Sequence, residues 1–178
     1  MFMIKVLRLG HRAGRDDRIS THVGLTARQW GADEIVYSGE KDESMMESLE
    51  DTIERWGGHM NVKYENNFQS ELNNFEGLVI HLTMYGKPLE EKLEDIEEEI
   101  DELEEEYEDD MLIVVGAEKV PRSVYRKADF NIAIGNQPHS EIAALAVFMD
   151  RFFEIKNEFE DAEIKVIPSI DGKRTEKL

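Results

Sequence analysis

Six short runs rich in branched aliphatic residues punctuate the chain, at Met3 to Leu9, Glu34 to Ser38, Asn61 to Tyr64, Leu78 to Thr83, Met111 to Val115 and Phe130 to Ile134. The longer stretches that alternate with them have helical patterning: Thr21 to Trp30, Glu43 to Trp56, Phe68 to Phe75, Leu89 to Tyr107, Arg122 to Lys127 and Ser140 to Asn157. Strands that alternate with helices are joined as parallel neighbours, since a parallel pair needs a crossover of a dozen or more residues. The pattern predicts an α/β fold with a mostly parallel sheet flanked by helices. With 178 residues, 40% of them hydrophobic, the chain can bury one sizeable core, so a single domain is expected over residues 1–160. Residues 161–178 form a tail in which Asp171-Gly172 signals a tight turn, which predicts a short C-terminal β-hairpin with Pro168 confining one strand to an edge.

Charge is unevenly placed. The formal net charge is −19, yet Glu90 to Asp110 alone hold fifteen acids against Lys92, and removing that net −14 leaves −5 for the remaining 157 residues. In that segment Leu89, Leu93, Ile96, Ile100, Leu103 and Tyr107 are spaced by four, three, four, three and four, one apolar stripe on a helix whose other face is acidic and solvated. Packing of the stripe on the sheet is expected, because some three heptads are little for a coiled-coil seam. Phosphate contacts rest chiefly on Lys and Arg, so such acidity argues against a polyanionic partner. Near the N-terminus the bias reverses: Lys5, Arg8, Arg12, Arg15 and Arg18 outnumber Asp16 and Asp17, and Arg28 follows. A local basic patch can still steer a polyanion.

The chain has no cysteine, which excludes a disulfide framework, a thiolate zinc site and a cysteine nucleophile. No window offers about 18 uncharged apolar residues, and the start lacks a cleavage site, so a soluble cytoplasmic protein away from membranes is the expectation.

Three segments at strand ends carry the chemistry-bearing residues, where open α/β sheets bind ligands. The first is Arg8-Leu-Gly-His-Arg12 with Arg15, Arg18, Thr21, His22 and Arg28. Guanidinium forks suit phosphate oxygens, and Gly10 and Gly14 let backbone approach a ligand; the same arginines could instead pair with surface acids. The second runs from a buried strand into Gly116, Ala117, Glu118, Lys119, Val120 and Pro121, a pattern equally suited to an ordinary strand end. The third is Ile134, Gly135, Asn136, Gln137, Pro138, His139, Ser140 and Glu141, whose amides suit the polar edge of a base, and whose Ser140 and Glu141 suit a helix N-cap and first turn. The apolar run Ile142 to Met149 is too hydrophobic for a one-sided surface helix and fits burial against the sheet and a second subunit. His81 and His139 have no His-x-x-x-His or acid-cluster spacing, so no metal is expected.

Read in order, Arg8-Leu-Gly-His-Arg with Arg15, Arg18, Thr21-His-Val and Arg28, then His81-Leu-Thr-Met-Tyr-Gly86, Val114-Val-Gly-Ala-Glu-Lys-Val-Pro121 and Ala133-Ile-Gly-Asn-Gln-Pro-His-Ser-Glu141 resemble the archaeal tRNA cytidine-56 2′-O-methyltransferases of the SPOUT superfamily. The resemblance runs from about residue 5 to residue 151 and leaves out the acidic helix and the tail. It implies a C-terminal trefoil knot, a homodimer, tRNA as substrate and S-adenosyl-L-methionine as methyl donor. It further implies that Leu82, Gly116 to Val120 and Ile134 to Glu141 hold the donor, and that an arginine among Arg12, Arg18 and Arg28 serves catalysis. Transfer from a sulfonium to a 2′-hydroxyl needs in-line placement and partial deprotonation, and no metal. Competing readings are methylation of another RNA and a non-catalytic nucleotide- or anion-binding regulatory domain. A phosphatase built on Gly10-His11-Arg12 has the wrong residue order.

Overall fold

A computed structural model describes residues 2–106, 110–116 and 119–178. Among them run the strands β1 Ile4–His11, β2 Glu34–Gly39, β3 Asn61–Tyr64, β4 Gly77–Pro88, β5 Asp110–Gly116 and β6 Phe130–Ala133. The helices are α1 Asp17–Gln29, α2 Glu43–Trp56, α3 Phe68–Asn74, α4 Leu93–Glu106, α5 Arg122–Lys127 and α6 Glu141–Phe152. The six strands form one sheet in the order β3-β2-β1-β5-β4-β6, and every pair is parallel. Val6, Ile35, Ile80 and Ile113 turn to one face, where Val23 and Ala27 of α1, Leu49 of α2, Ile96 and Ile100 of α4, and Leu145, Phe148 and Met149 of α6 cover them. Leu7, Val36, Val79, Leu112 and Val114 turn to the other, under Leu72 of α3 and Val124 of α5. Burial on both faces explains why the central strands read as continuous apolar runs and not as alternating ones.

Local chemistry sets the helix ends. Asp42 caps α2 by accepting from the Met45 amide, and Ser140 caps α6 by accepting from the Ile142 amide. The acidic segment opens with a 3₁₀ turn, Leu89–Glu91, and only then becomes α4, whose Ile96, Ile100 and Leu103 are buried against the sheet while Glu94, Asp95, Glu97, Glu98, Glu99, Asp101 and Glu102 are exposed. Tyr107, the expected end of its stripe, lies outside the described residues. Helix α6 stops at Phe152, five residues before the expected Asn157; Phe153 is extended and stacks edge-on against Phe2. The tail then crosses to α1, where the Lys156 amide donates to Gln29 O, and ends in an antiparallel hairpin of β7 Ile164–Val166 and β8 Thr175–Lys177. Pro168 falls just after β7, in the connection that also holds Asp171-Gly172.

Strand β4 pairs with β6 twice. Leu82 lies opposite Ile132, and after four intervening residues Lys87 lies opposite Ile132 again. Gly86 sits where this segment passes β6: a Cβ there would come within 2.4 Å of Asn131 O and 2.6 Å of Ile132 N. Only glycine allows two backbones to pass so closely.

Candidate functional site

Strands β1 and β5 are neighbours from which the chain departs in opposite directions, β1 toward β2 and β5 toward β6. Such a switch point leaves a crevice at the carboxyl ends of the strands, because the connecting helices diverge there. His11, Gly39, Gly116 and Ala133 end strands at this edge, where Leu82 closes the first pairing of β4 with β6.

On one side of the β5 end is a cavity of about 180 Å³ lined by Leu82, Thr83, Met84, Gly116, Val120, Tyr125, Ile134, His139, Ser140, Glu141 and Ala144. Ser140 gives its hydroxyl to capping, and Glu141 reaches down to Arg8, with Nη2 3.1 Å from Oε1. Asn136 is exposed, and its amide nitrogen donates to Met84 O at 2.8 Å and Gly86 O at 3.0 Å. It ties the loop after β6 to the segment that crosses β6. His139 closes the same loop, with Nε2 2.5 Å from Ile134 O. Gly135 takes a left-handed φ of 76°, and Gln137 and Pro138 are exposed at the rim. Ala117 and Glu118 lie outside the described residues.

Behind the cavity, His81 is fully buried on β4. Its Nδ1 is 2.8 Å from Asn131 Oδ1, its ring meets Tyr125 edge-on, and Tyr125 in turn hydrogen-bonds Thr83 at 3.1 Å. Burial pushes the His81 pKa down, against the raising effect of the Asn131 hydrogen bond.

On the other side lies an open groove of about 650 Å³ that Leu9, His11, Arg12, Ser38, Glu40, Phe68 and Lys119 help to line. The segment from Gly116 to Pro121 therefore walls both spaces: Gly116 and Val120 face the first, Lys119 and Pro121 the second. Arg12 holds the buried Asp16 bidentately, Nε to Oδ2 at 2.9 Å and Nη2 to Oδ1 at 3.0 Å. That hydrogen-bonded guanidinium keeps the Asp16 carboxyl below the usual range, and Arg8 adds to the effect. Arg18 is exposed in the first turn of α1.

The structure does not bring Arg28 to this edge. It lies ten residues beyond Arg18 on α1, about 15 Å at the helical rise, toward the amino ends of the strands. There it donates to Gly57 O and Trp56 O, both at 2.7 Å, and stacks under the Phe159 ring at 4.3 Å. Its task is to hold the C-terminal tail and the end of α2. Arg8, which belongs to the basic N-terminal segment but not to the catalytic candidates, is buried between the two halves of the site. A lone arginine inside an otherwise apolar strand was the available signal.

A family model described as tRNA ribose 2′-O-methyltransferase, aTrm56, matches residues 56–176. The tRNA (cytidine(56)-2′-O)-methyltransferase of Archaeoglobus fulgidus is 54% identical over 96% of this chain and 96% of its own. That of Pyrococcus horikoshii is 50% identical over 97% of this chain and 84% of its own. Among solved structures, the TrmH/SpoU tRNA modifying enzyme of A. aeolicus superposes with a TM-score of 0.57 at 12% identity, over 85% of this chain and 74% of that one. The SpoU methyltransferase AviRb of Streptomyces viridochromogenes, solved with AdoMet, gives 0.54 at 9% identity over 84% of this chain; this chain spans 56% of that longer one. The sheet order, its flanking helices and these superpositions are those of the SPOUT fold. The chain belongs to the tRNA ribose 2′-O-methyltransferase family, aTrm56.

Proposed function

We propose that this protein transfers a methyl group from S-adenosyl-L-methionine to the ribose 2′-hydroxyl of cytidine 56 in tRNA. The observation that carries the reading is the shared wall. Gly116 and Val120 line a smaller cavity of mixed polar and apolar groups, and Lys119 and Pro121 of the same segment line an open groove that also bears Arg12. The smaller, less open space suits a nucleoside donor, and the open one with its two cations suits a ribose-phosphate. Half-identical relatives named for this reaction support the target.

The donor site is built by Leu82, Gly116 to Val120 and Ile134 to Glu141. Its cavity of about 180 Å³ is smaller than the roughly 300 Å³ at the low end of ligand pockets, so donor binding parts the loop after β6 from the one after β5. Arg12 is oriented by Asp16 and Arg18 by the first turn of α1; one of them meets the phosphate beside the acceptor and stabilises the alkoxide that forms as the 2′-hydroxyl gives up its proton. We also infer that the chain beyond β6 threads the segment 83–88, which accounts for the double pairing of Ile132 and the close passage at Gly86. Pairing of two copies through α6 is supported by its outward Ala143 and Val147 on an otherwise apolar helix. Among the described residues no helix is long and apolar enough to cross a membrane; a cytoplasmic location agrees with a tRNA substrate.

The test is transfer of labelled methyl from the donor to unmodified tRNA, run beside a transcript with a 2′-deoxy residue at position 56. Label in the first and none in the second is expected. Equal label in both moves the target elsewhere, and none in either leaves a binding module.

A further inference from the structure

His11 ends β1 with its imidazole enclosed, the residue being 1% exposed. Its Nδ1 lies 2.8 Å from Ser20 Oγ, and its Nε2 has no hydrogen-bond partner. That nitrogen faces the Asp42 carboxylate, with the Asp17 carboxylate nearby. Asp42 Oδ2 is 3.5 Å away, and one ligand-type atom from each of His11, Asp17 and Asp42 lies within 4.8 Å of the others. Both carboxylates are held from behind: Asp42 Oδ1 accepts from the Met45 amide and the Ser44 hydroxyl, and Asp17 Oδ1 accepts from the Gly14 amide.

A histidine whose one ring nitrogen is fixed by a hydroxyl, and whose other is buried, unpartnered and turned toward a carboxylate, has the arrangement of a metal ligand with its outer-shell partner. Two carboxylates brought this close repel unless a cation or proton lies between them. The amino ends of α1 and α2 each oppose a cation with about half a positive charge, which two full negative charges outweigh. One imidazole nitrogen with two carboxylate oxygens suits a first-row transition ion bonded at about 2.0–2.2 Å, whereas magnesium prefers oxygen and water alone.

We propose that His11, Asp17 and Asp42 bind one divalent transition-metal ion that clamps the arginine loop. His11 closes β1, Asp17 opens α1 and Asp42 caps α2, so the ion closes the loop 12–16 between two of its ligands and pins it to α2. Arg12 lies inside that loop and Arg18 directly follows Asp17. The local spacings that argued against a metal do not bear on this set, whose ligands come from three elements. The ion is structural: methyl transfer is not routed through it, and the assignment stands apart from the proposed reaction.

The experiment titrates chelator-stripped full-length protein with Co²⁺, followed by visible absorption, and displaces it with Zn²⁺. One Co²⁺ per chain, displaced by one Zn²⁺, with a rise in melting temperature, is expected. Asp42→Asn keeps a good helix cap and, like His11→Gln, should abolish saturable binding with an unchanged far-ultraviolet spectrum. Asp17→Asn replaces either variant if its spectrum is altered. Ser20→Ala should weaken binding about 10- to 100-fold through the outer shell. Absence of one-to-one binding in the wild type, or equal binding by all three ligand variants through scattered surface acids, overturns the proposal.

Discussion

Arg8 on β1 and Glu141 in the first turn of α6 form an ion pair, Nη2 to Oε1 at 3.1 Å, that joins the two sides of the site. Arg8 is 1% exposed, also donates to Leu9 O, and leaves its Nε without a partner. Burial lowers the guanidinium pKa and Glu141 counters that effect most strongly. Removing one partner of a buried pair strands the other charge, at a cost of about 3–5 kcal/mol. Glu141→Ala should fall near the lower end, because the Glu141 side chain is 24% exposed. The double variant Arg8→Met, Glu141→Ala should recover much of that loss, since an apolar side chain of similar length leaves no charge unpaired. Urea unfolding of both decides; equal losses would show that packing, not charge, dominates.

Arg18 and Arg28 lie on one helix and should fail differently. Where Arg18 is the arginine that meets the phosphate, Arg18→Ala should lower turnover at least about 100-fold, with donor affinity and melting temperature nearly unchanged; unchanged turnover assigns that role to Arg12. Arg28→Ala loses two charge-assisted bonds to carbonyls and the Phe159 stack, about 3 kcal/mol together, or roughly 10 °C in a chain of this size. Its turnover per folded molecule should stay near wild type. Donor titration, methyl transfer and thermal melts on the two variants separate the roles.

These two arginines also show what was legible beforehand. The strands, the parallel sheet and the apolar stripe of α4 follow from residue periodicity, because burial on two faces or one writes itself into spacing. Helix α1 begins at Asp17, four residues before the expected Thr21, since in its first turn the apolar Ile19 is exposed and the buried position is the polar Ser20, so no apolar stripe marks it. Strand β4 runs on to Pro88 because its second pairing depends on where β6 lies, which no local pattern encodes. Arg28 looked like part of a basic cluster, yet ten helical residues carry it to the opposite end of the sheet. The His11, Asp17 and Asp42 set escaped for the complementary reason: β1, α1 and α2 meet only in the folded chain.

His81 gives the fold a pH dependence. Its folded-state pKa lies below the ordinary 6.5, chiefly through burial. As pH falls through about 6.5, the unfolded chain takes up a proton that the folded one refuses, so stability decreases downward until the folded-state pKa is reached. The contribution is fully present above 6.5. Melting temperature should therefore decline on acidification through this window, and His81→Leu, lacking the titrating group, should flatten that part of the profile. A decline of the same slope in the variant would assign it to other groups.

Gly86 and Gly135 directly follow Tyr85 and Ile134, which line the same cavity, and predict opposite tolerance of a methyl group. Gly135 has φ 76°, but a Cβ built there meets nothing within 4 Å, so Gly135→Ala should cost only the left-handed backbone strain, about 1–2 kcal/mol. Gly86 has no such strain; its Cβ would instead lie 2.4 Å from Asn131 O and 2.5 Å from Asn131 C, atoms of a paired strand that cannot swing aside. Relief requires β4 and β6 to separate at the crossing, which also draws Met84 O and Gly86 O away from Asn136. Gly86→Ala should accordingly either fail to accumulate as folded protein or unfold far earlier in urea, and any folded fraction should bind donor weakly because the loop after β6 has lost its tie. If Gly86→Ala matched Gly135→Ala in stability and donor affinity, the two chain segments would not pass as closely as described, and the threading drawn from that passage would fall with it.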